Sequence, residues 1–348
     1  MTGTRPRVGL LGTGWIGRAR LKSLIDSDLV SVVALADPSA DALAQALAIA
    51  PGAKCVESFD ALLAEQLDAV VISTPSALHA RQCQEAFQQG LAVFCQKPLA
   101  CTAADTRAVV DAARRADRLL RVDFCYRHTA ALRQVRQVVR AGEIGRVFAA
   151  ELVFHNAYGP DKSWAREPAL AGGGCAVDLG VHLIDAALFV LGAVPVVRAN
   201  SQLHARGELL ALPPSEVEDF ASASLELASG TSLSLSCSWQ SSFGDHARIR
   251  AAFYGTSGGA AFENVGGSFF DFACDRYRGA MRERLFEGPD DWSGRAIVAW
   301  ASELRESASY RGVDELIEVS AALDALYGRN ENALPVAAAA PKTHWASP

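Results

Sequence analysis

The chain has 348 residues, half of them hydrophobic, and a formal net charge of −6 at pH 7. That length exceeds what a single core usually serves, so two domains are expected. The acidic balance, without any block of like charge, excludes the basic face that a nucleic-acid partner needs.

The N-terminal MTGTRPR leads within a few residues into an apolar strand, and no apolar run has the length of a bilayer span. A cytoplasmic protein without membrane contact is therefore expected. The first organised stretch is Val8 to Asp37, VGLLGTGWIGRARLKSLIDSDLVSVVALAD. A buried strand runs into Gly12, Gly14 and Gly17, a helix follows, and a second apolar strand ends at an acid. The first glycine permits a tight turn, the second lets backbone approach a pyrophosphate, and the third lets helix pack on strand. Phosphate then sits on free N–H groups at the helix start. Trp15 and Ile16 lie inside this loop and are assigned to the same site. Asp37 stands 20 residues beyond Gly17, where a carboxylate accepts hydrogen bonds from both hydroxyls of an adenosine ribose. No cation follows it to receive a 2′-phosphate, so NAD is favoured over NADP as cofactor.

From there to about Cys125, the apolar runs AKCVE, DAVVIST, LAVFCQK and LLRVDFC alternate with helical segments. This rhythm predicts a doubly wound parallel sheet, an α/β Rossmann domain over residues 1–126. Ser39, Ser58, Ser76 and Thr102 are the expected helix caps, and Gly90 an expected helix stop. Ser73, Thr74 and Pro75, with His79 behind them, and Gln96 and Lys97 fall at the carboxyl edge of the sheet. Open α/β sheets bind ligands at that edge, so these residues are expected to touch the cofactor.

After Cys125 the pattern changes. A helix HTAALRQVRQVVRAGEIG leads to a strand VFAAELVFHN, an irregular loop through GGG, and a helix AVDLGVHLIDAALFVLG. Period-2 runs DFASASLEL and TSLSLSCSW, joined by a hairpin at Ala228-Ser229-Gly230, and then HARIRAAFYG and AAFEN, predict a large, open, mostly antiparallel sheet. One face of that sheet is rich in serine, and reads as solvated or as buried against another subunit. Asn264 to Glu287 reads as an extension packed over the sheet. Two C-terminal helices follow, one of them expected to pack back on the first domain. The second, α+β domain is set at residues 127–336, with a short strand before a frayed tail at 337–348.

Chemistry is expected at three positions. Lys97, fixed by Pro98 after a strand, can point into the cleft and hydrogen-bond a substrate oxygen. Asp178 and His182 are spaced i, i+4 on one helical face, where a carboxylate can orient an imidazole and hold up its pKa. Asp185 follows one turn later. For substrate contacts, Trp164 offers an apolar face to a sugar ring, and His155, Asn156 and Arg166 offer hydrogen bonds. The eight cysteines, Cys55, Cys83, Cys95, Cys101, Cys125, Cys175, Cys237 and Cys274, lack CxxC spacing. They are expected as reduced core thiols, with no metal site and no disulfide framework.

GLLGTGWIGRA, the acid in VALADPS, VISTPSALHA, the QKP turn, GEIGRV and the GGGCAVDLGVHLID helix together resemble the Gfo/Idh/MocA oxidoreductases, in order from about Arg5 to about Val336. The resemblance implies an N-terminal Rossmann domain that holds NAD or NADP and a C-terminal sheet that covers the nicotinamide and forms a homodimer or homotetramer interface. It implies an oxidoreductase that moves hydride between nicotinamide C4 and a secondary alcohol or ketone carbon of a sugar, inositol or related polyol. His182 would take the hydroxyl proton, Lys97 would hydrogen-bond the reacting oxygen, and Asp178 would fix the substrate and the imidazole. Two positions depart from the family pattern: Gln96 replaces a glutamate before Lys97, and His128 follows Arg127 where an aromatic residue is common. Arg127 is also expected at the substrate. Two rivals stand beside this reading: a redox-neutral enzyme that retains NAD to hydrolyse or epimerise a glycoside, and a non-catalytic ligand sensor.

Overall fold

The computed structural model describes residues 5–329. The short strand and tail expected beyond residue 329 lie outside the described residues.

The first half alternates strand and helix in the predicted order: β1 (Arg7–Leu11), α1 (Trp15–Ser27), β2 (Ser31–Ala36), α2 (Ala40–Ile49), β3 (Lys54–Val56), α3 (Phe59–Leu63), β4 (Ala69–Ile72), α4 (Ser76–Gln88), β5 (Ala92–Cys95), α5 (Ala103–Ala116) and β6 (Leu120–Val122). The strands are parallel and ordered β3-β2-β1-β4-β5-β6. β4 and β5 are buried along their whole length. Runs such as AVVI and AVFC need cover on both sheet faces, and the flanking helices supply it. Ser39, Ser58 and Thr102 cap their helices by accepting from the N–H groups of Ala42, Ala61 and Asp105. Ser76 does not cap: α4 begins at Ser76 itself and Pro75 occupies the capping position, because proline's missing N–H is tolerated there. The strand order reverses between β1 and β4, which opens a crevice beside Gly12 and Ser73.

The second half contains α6 (Ala130–Arg140), β7 (Val147–Asn156), α7 (Pro168–Ala171), α8 (Val181–Leu191), β8 (Val196–Ala205), β9 (Glu208–Leu209), β10 (Phe220–Leu227), β11 (Ser232–Ser238), β12 (Ala247–Gly255), β13 (Gly258–Asn264), β14 (Asp271–Arg278), β15 (Met281–Pro289), α9 (Arg295–Glu306) and α10 (Glu315–Leu326). Nine strands form one sheet, ordered β15-β14-β13-β12-β7-β11-β10-β8-β9, in which β7 and β11 run parallel and the other neighbours antiparallel. Ser222 and Ser224 pair with Ser236 and Ser234 on the open face, while Leu225, Leu233 and Leu235 turn inward to α8 and the core.

Two elements differ from expectation. β8 was hidden because VVRANSQLHA carries polar residues on both faces until Leu203. The segment after Asn264 does not pack over the sheet but extends it as β14 and β15. There Phe272 and Cys274 point inward, and on the opposite face Asp275 is buried between Arg282 and Arg284, which neutralise it.

The C-terminal helices return to the first half. Trp300 of α9 is fully buried, with its ring 5.6 Å from that of Phe94 in β5. α10 packs on α5, α8 and β8. The stretch Pro168–Leu191, broken at Gly172–Gly174 between α7 and α8, is long and apolar enough to cross a membrane, a length the sequence reading did not credit. Most of it is buried in the interior, the surroundings that its apolar surface serves.

Candidate active site

Gly12 has a φ of +87°, and a Cβ there would stand 2.6 Å from the Ser73 carbonyl oxygen. A Cβ at Gly17 would stand 2.1 Å from the Gly12 carbonyl oxygen, whereas one at Gly14 would meet nothing within 4 Å. Two glycines therefore close the turn and the third leaves room above it. Thr13 Oγ1 and Ser73 Oγ are buried without partners, which is costly unless a bound group supplies them. Asp37 Oδ2 accepts from Thr13 N–H at 2.6 Å and Oδ1 from Ser39 N–H at 2.8 Å, fixing the carboxylate at the end of β2. These residues fit a nicotinamide dinucleotide.

From this loop a cavity of about 380 Å³ continues between the two sheets, with Trp15, Ile16, Ser73, Thr74 and His79 at its near side. The His79 ring nitrogens lie 2.7 Å from the Pro98 carbonyl and 2.8 Å from the Thr74 carbonyl, tying the loops after β4 and β5 together. The Lys97–Pro98 peptide is cis. Lys97 Nζ donates to Asp178 Oδ1 at 2.6 Å and to the Asp178 carbonyl at 2.8 Å.

Asp178 lies in a π-turn, Ala176–Gly180, which opens α8. The regular helix expected from the i, i+4 spacing is widened there, a feature that recurs at functional sites. The start of this helix is held from beneath. Glu218, fully buried, accepts from the N–H groups of Gly174 and Ala176 and from the Tyr327 hydroxyl. Glu218 also explains Gly174, where a Cβ would stand 1.9 Å from its carbonyl oxygen.

The carboxylate of Asp178 is shared by Lys97 and Trp239, whose Nε1 donates to Oδ2 at 3.0 Å. Burial opposes its ionisation, but the Lys97 charge and hydrogen bond outweigh burial and hold the carboxyl below its ordinary value. Its side chain remains 42% exposed toward the cavity, so a ligand can reach it. His182 differs from expectation. Its Nδ1 is buried without a partner, and no hydrogen bond joins it to Asp178 among the described residues. Tyr126 meets the imidazole edge-on, with ring centroids 5.1 Å apart. Burial, then the Lys97 charge, push its pKa down to about 3 against the pull of Asp178. The imidazole is therefore neutral at pH 7, not held near its ordinary value.

Residues 6–124 match the oxidoreductase family with an NAD-binding Rossmann fold, and residues 132–261 match the Gfo/Idh/MocA C-terminal domain. The chain belongs to the Gfo/Idh/MocA oxidoreductases. It is 32% identical over 262 residues to inositol 2-dehydrogenase of Rhizobium meliloti (strain 1021), covering 74% of this chain and 76% of that one. It is 38% identical over 193 residues to 1,5-anhydro-D-fructose reductase of Ensifer adhaerens, covering 54% of this chain and 57% of that protein. The chain thus spans little more than half the length of some curated relatives that it matches. A 3-ketoreductase from Actinomadura kijaniata, solved with NADP and TDP-benzene, has the same fold at a TM-score of 0.79 and 24% identity, covering 93% and 97% of the two chains.

Within this family framework, several residues read from the sequence lie elsewhere. Arg127 does not reach the cavity: its guanidinium pairs with Asp185 at 2.6 Å and Glu315 at 3.1 Å behind the site. His155 points to the opposite face of the sheet from its cavity-lining neighbours Phe154 and Asn156, and its Nδ1 lies 2.7 Å from Ser238 Oγ. Arg166 is exposed and outside the lining, whereas Trp164 lines the cavity. Gln96 is buried and donates to Asp123, which also accepts from Arg20 Nε at 2.5 Å.

The sequence reading missed Trp239, Lys162, Trp292 and this Arg20–Asp123 pair. Trp239 had a signal, since it ends the predicted strand TSLSLSCSW at the site edge. The others had none, because their neighbours are remote in sequence. Among the described residues, no group of three or more His, Cys, Asp or Glu side chains is placed to hold a metal ion.

Proposed function

We propose that the protein is an NAD-dependent dehydrogenase or reductase that interconverts a secondary alcohol and a ketone on a sugar, inositol or related polyol. The observation that carries this reading is the Lys97–Asp178 contact beside a partly buried, neutral imidazole, in a cavity continuous with the glycine loop. Gly12, Gly14, Gly17 and Asp37 would hold the dinucleotide, with Thr13 and Ser73 supplying hydroxyls. When bound, that cofactor accepts or returns hydride at its nicotinamide.

Lys97 Nζ, held by Asp178, hydrogen-bonds the reacting oxygen and stabilises negative charge developing there. His182, neutral at working pH, accepts the hydroxyl proton in oxidation and returns it in reduction. Asp178 positions Lys97 and, through its open side, a substrate hydroxyl. Trp164, Trp239 and Trp292 supply apolar faces that suit a sugar ring and exclude water. The carboxylate of Asp37 favours NAD over NADP.

The division near residue 126 then separates a cofactor half from a substrate half. The open face of the nine-stranded sheet is proposed as a homodimer or homotetramer interface. The eight free cysteines support a reducing, cytoplasmic setting.

A panel of sugars and polyols with NAD and with NADP, followed by nicotinamide absorbance, tests the reading. Substrate-dependent NADH that accumulates supports it, and turnover without net NADH favours the redox-neutral rival. Unchanged function in both Lys97→Ala and His182→Ala would favour the sensor.

A further inference from the structure

A second cavity, of about 610 Å³, lies behind the active site between β6, α6, α9 and the start of α10. Four arginines line it, Arg121, Arg127, Arg133 and Arg136, against two carboxylates, Glu303 and Glu315. Both carboxylates are committed. Glu303 takes Arg121 at 2.6 Å, and Glu315 shares Arg127 with Asp185.

Arg133 and Arg136 stand one turn apart on the same face of α6, and neither has a carboxylate partner among the described residues. Each is nevertheless oriented by neutral groups. Arg133 Nε donates to the Arg127 carbonyl at 3.0 Å, and its Nη2 meets His128 Nδ1 at 3.1 Å. Arg136 stands over the Phe189 ring, 4.3 Å from its centroid. Partial desolvation and the charges of Arg140, Arg127 and Arg133 lower its pKa, the mark of crowded cations without an anion between them. Phe124, Phe189, Val313 and Leu316 give the cavity an apolar floor.

We propose that this cavity binds a phosphoryl group, as inorganic phosphate or pyrophosphate or on a small organic ligand, through Arg133 and Arg136. Guanidinium groups meet phosphate oxygens with paired hydrogen bonds, and pre-orientation by neutral acceptors leaves that charge free for a ligand. The 3₁₀ turn Cys125–His128 forms the wall between the two cavities. Cys125 and Tyr126 face the first cavity, and Arg127 and His128 the second.

The test is calorimetric titration of pyrophosphate into protein saturated with NADH. The cofactor fills the glycine loop, where pyrophosphate would otherwise compete. NADH binding is measured first by its own fluorescence, so a failure of the cofactor reading shows separately. Saturable binding to one site is expected, weakened at least tenfold in Arg133→Ala/Arg136→Ala while NADH affinity is unchanged. Both side chains are exposed, so the variant should fold; circular dichroism checks this. No saturable binding, equal binding by the double variant, or equally tight binding of citrate at matched ionic strength would overturn the proposal.

Discussion

Lys97 Nζ lies 2.6 Å from Asp178 Oδ1, so one ion pair ties the end of β5 to the π-turn that opens α8. Asp178→Asn keeps the shape but weakens the grip on Lys97. Lys97→Met and Asp178→Asn should each lower kcat by about 10²–10⁴-fold. NADH affinity, followed by fluorescence quenching, should change by no more than about threefold, about 0.7 kcal/mol, since the glycine loop is untouched.

The lowered pKa of His182 sets a pH window. As pH falls below about 6.5, the unfolded chain takes up a proton that the folded site refuses until about 3. The stability tied to this group is complete above about 6.5 and is lost progressively as pH falls toward about 3. Urea midpoints of the wild type should therefore drop more steeply on acidification than those of His182→Phe. The His182 ring signal in NMR should not titrate near the ordinary histidine value.

Gln96 and Asp123 share a buried network with Arg20. Gln96→Glu places a second carboxylate against Asp123 with one guanidinium between them. It should destabilise the fold by about 1–3 kcal/mol. Adding Asp123→Asn should recover most of that loss, a coupling that a denaturant double-mutant cycle measures directly.

Glu218 holds the start of the helix that carries Asp178. Glu218→Leu leaves the Gly174 and Ala176 N–H groups and the Tyr327 hydroxyl unpaired, and should cost about 2–4 kcal/mol in thermal or chemical melts. Gly174→Ala should be as damaging, because its Cβ meets backbone that cannot swing away.

At the other end of the site, Asp37→Ser removes the carboxylate proposed to face the ribose. The ratio of kcat/KM for NAD to that for NADP should fall by about tenfold or more, since one charge-assisted hydrogen bond contributes about 1.5–3 kcal/mol.

The first sheet was legible because its strands are short apolar runs that stop at a polar residue or glycine, as AVVI stops before Ser73. That Lys97, Asp178 and His182 line one cavity was legible because a strand end and a helix start carry them; their catalytic roles are proposed. What failed was direction and competition. His155 and Asn156 are adjacent, so a one-residue alternation sends them to opposite faces. Arg127 was drawn away by Glu315, 188 residues distant, which no local pattern reveals. The π-turn was invisible because its sequence also suits an α-helix. β14 and the edge strand β15 were obscured because their charges pair across strands, which no local pattern reveals.

β7 is made first among the nine strands of its sheet yet ends at the centre, between β11 and β12. Its partners begin at Ser232 and Ala247, so 85 residues separate Val147 from the nearer one. At a synthesis rate of about 5–20 residues per second, both edges of β7 stay open for about 4–17 seconds. A nascent chain in that interval offers an unpaired hydrogen-bonding ladder to any neighbour, so recovery of soluble protein should improve when translation is quick or a chaperone covers that strand.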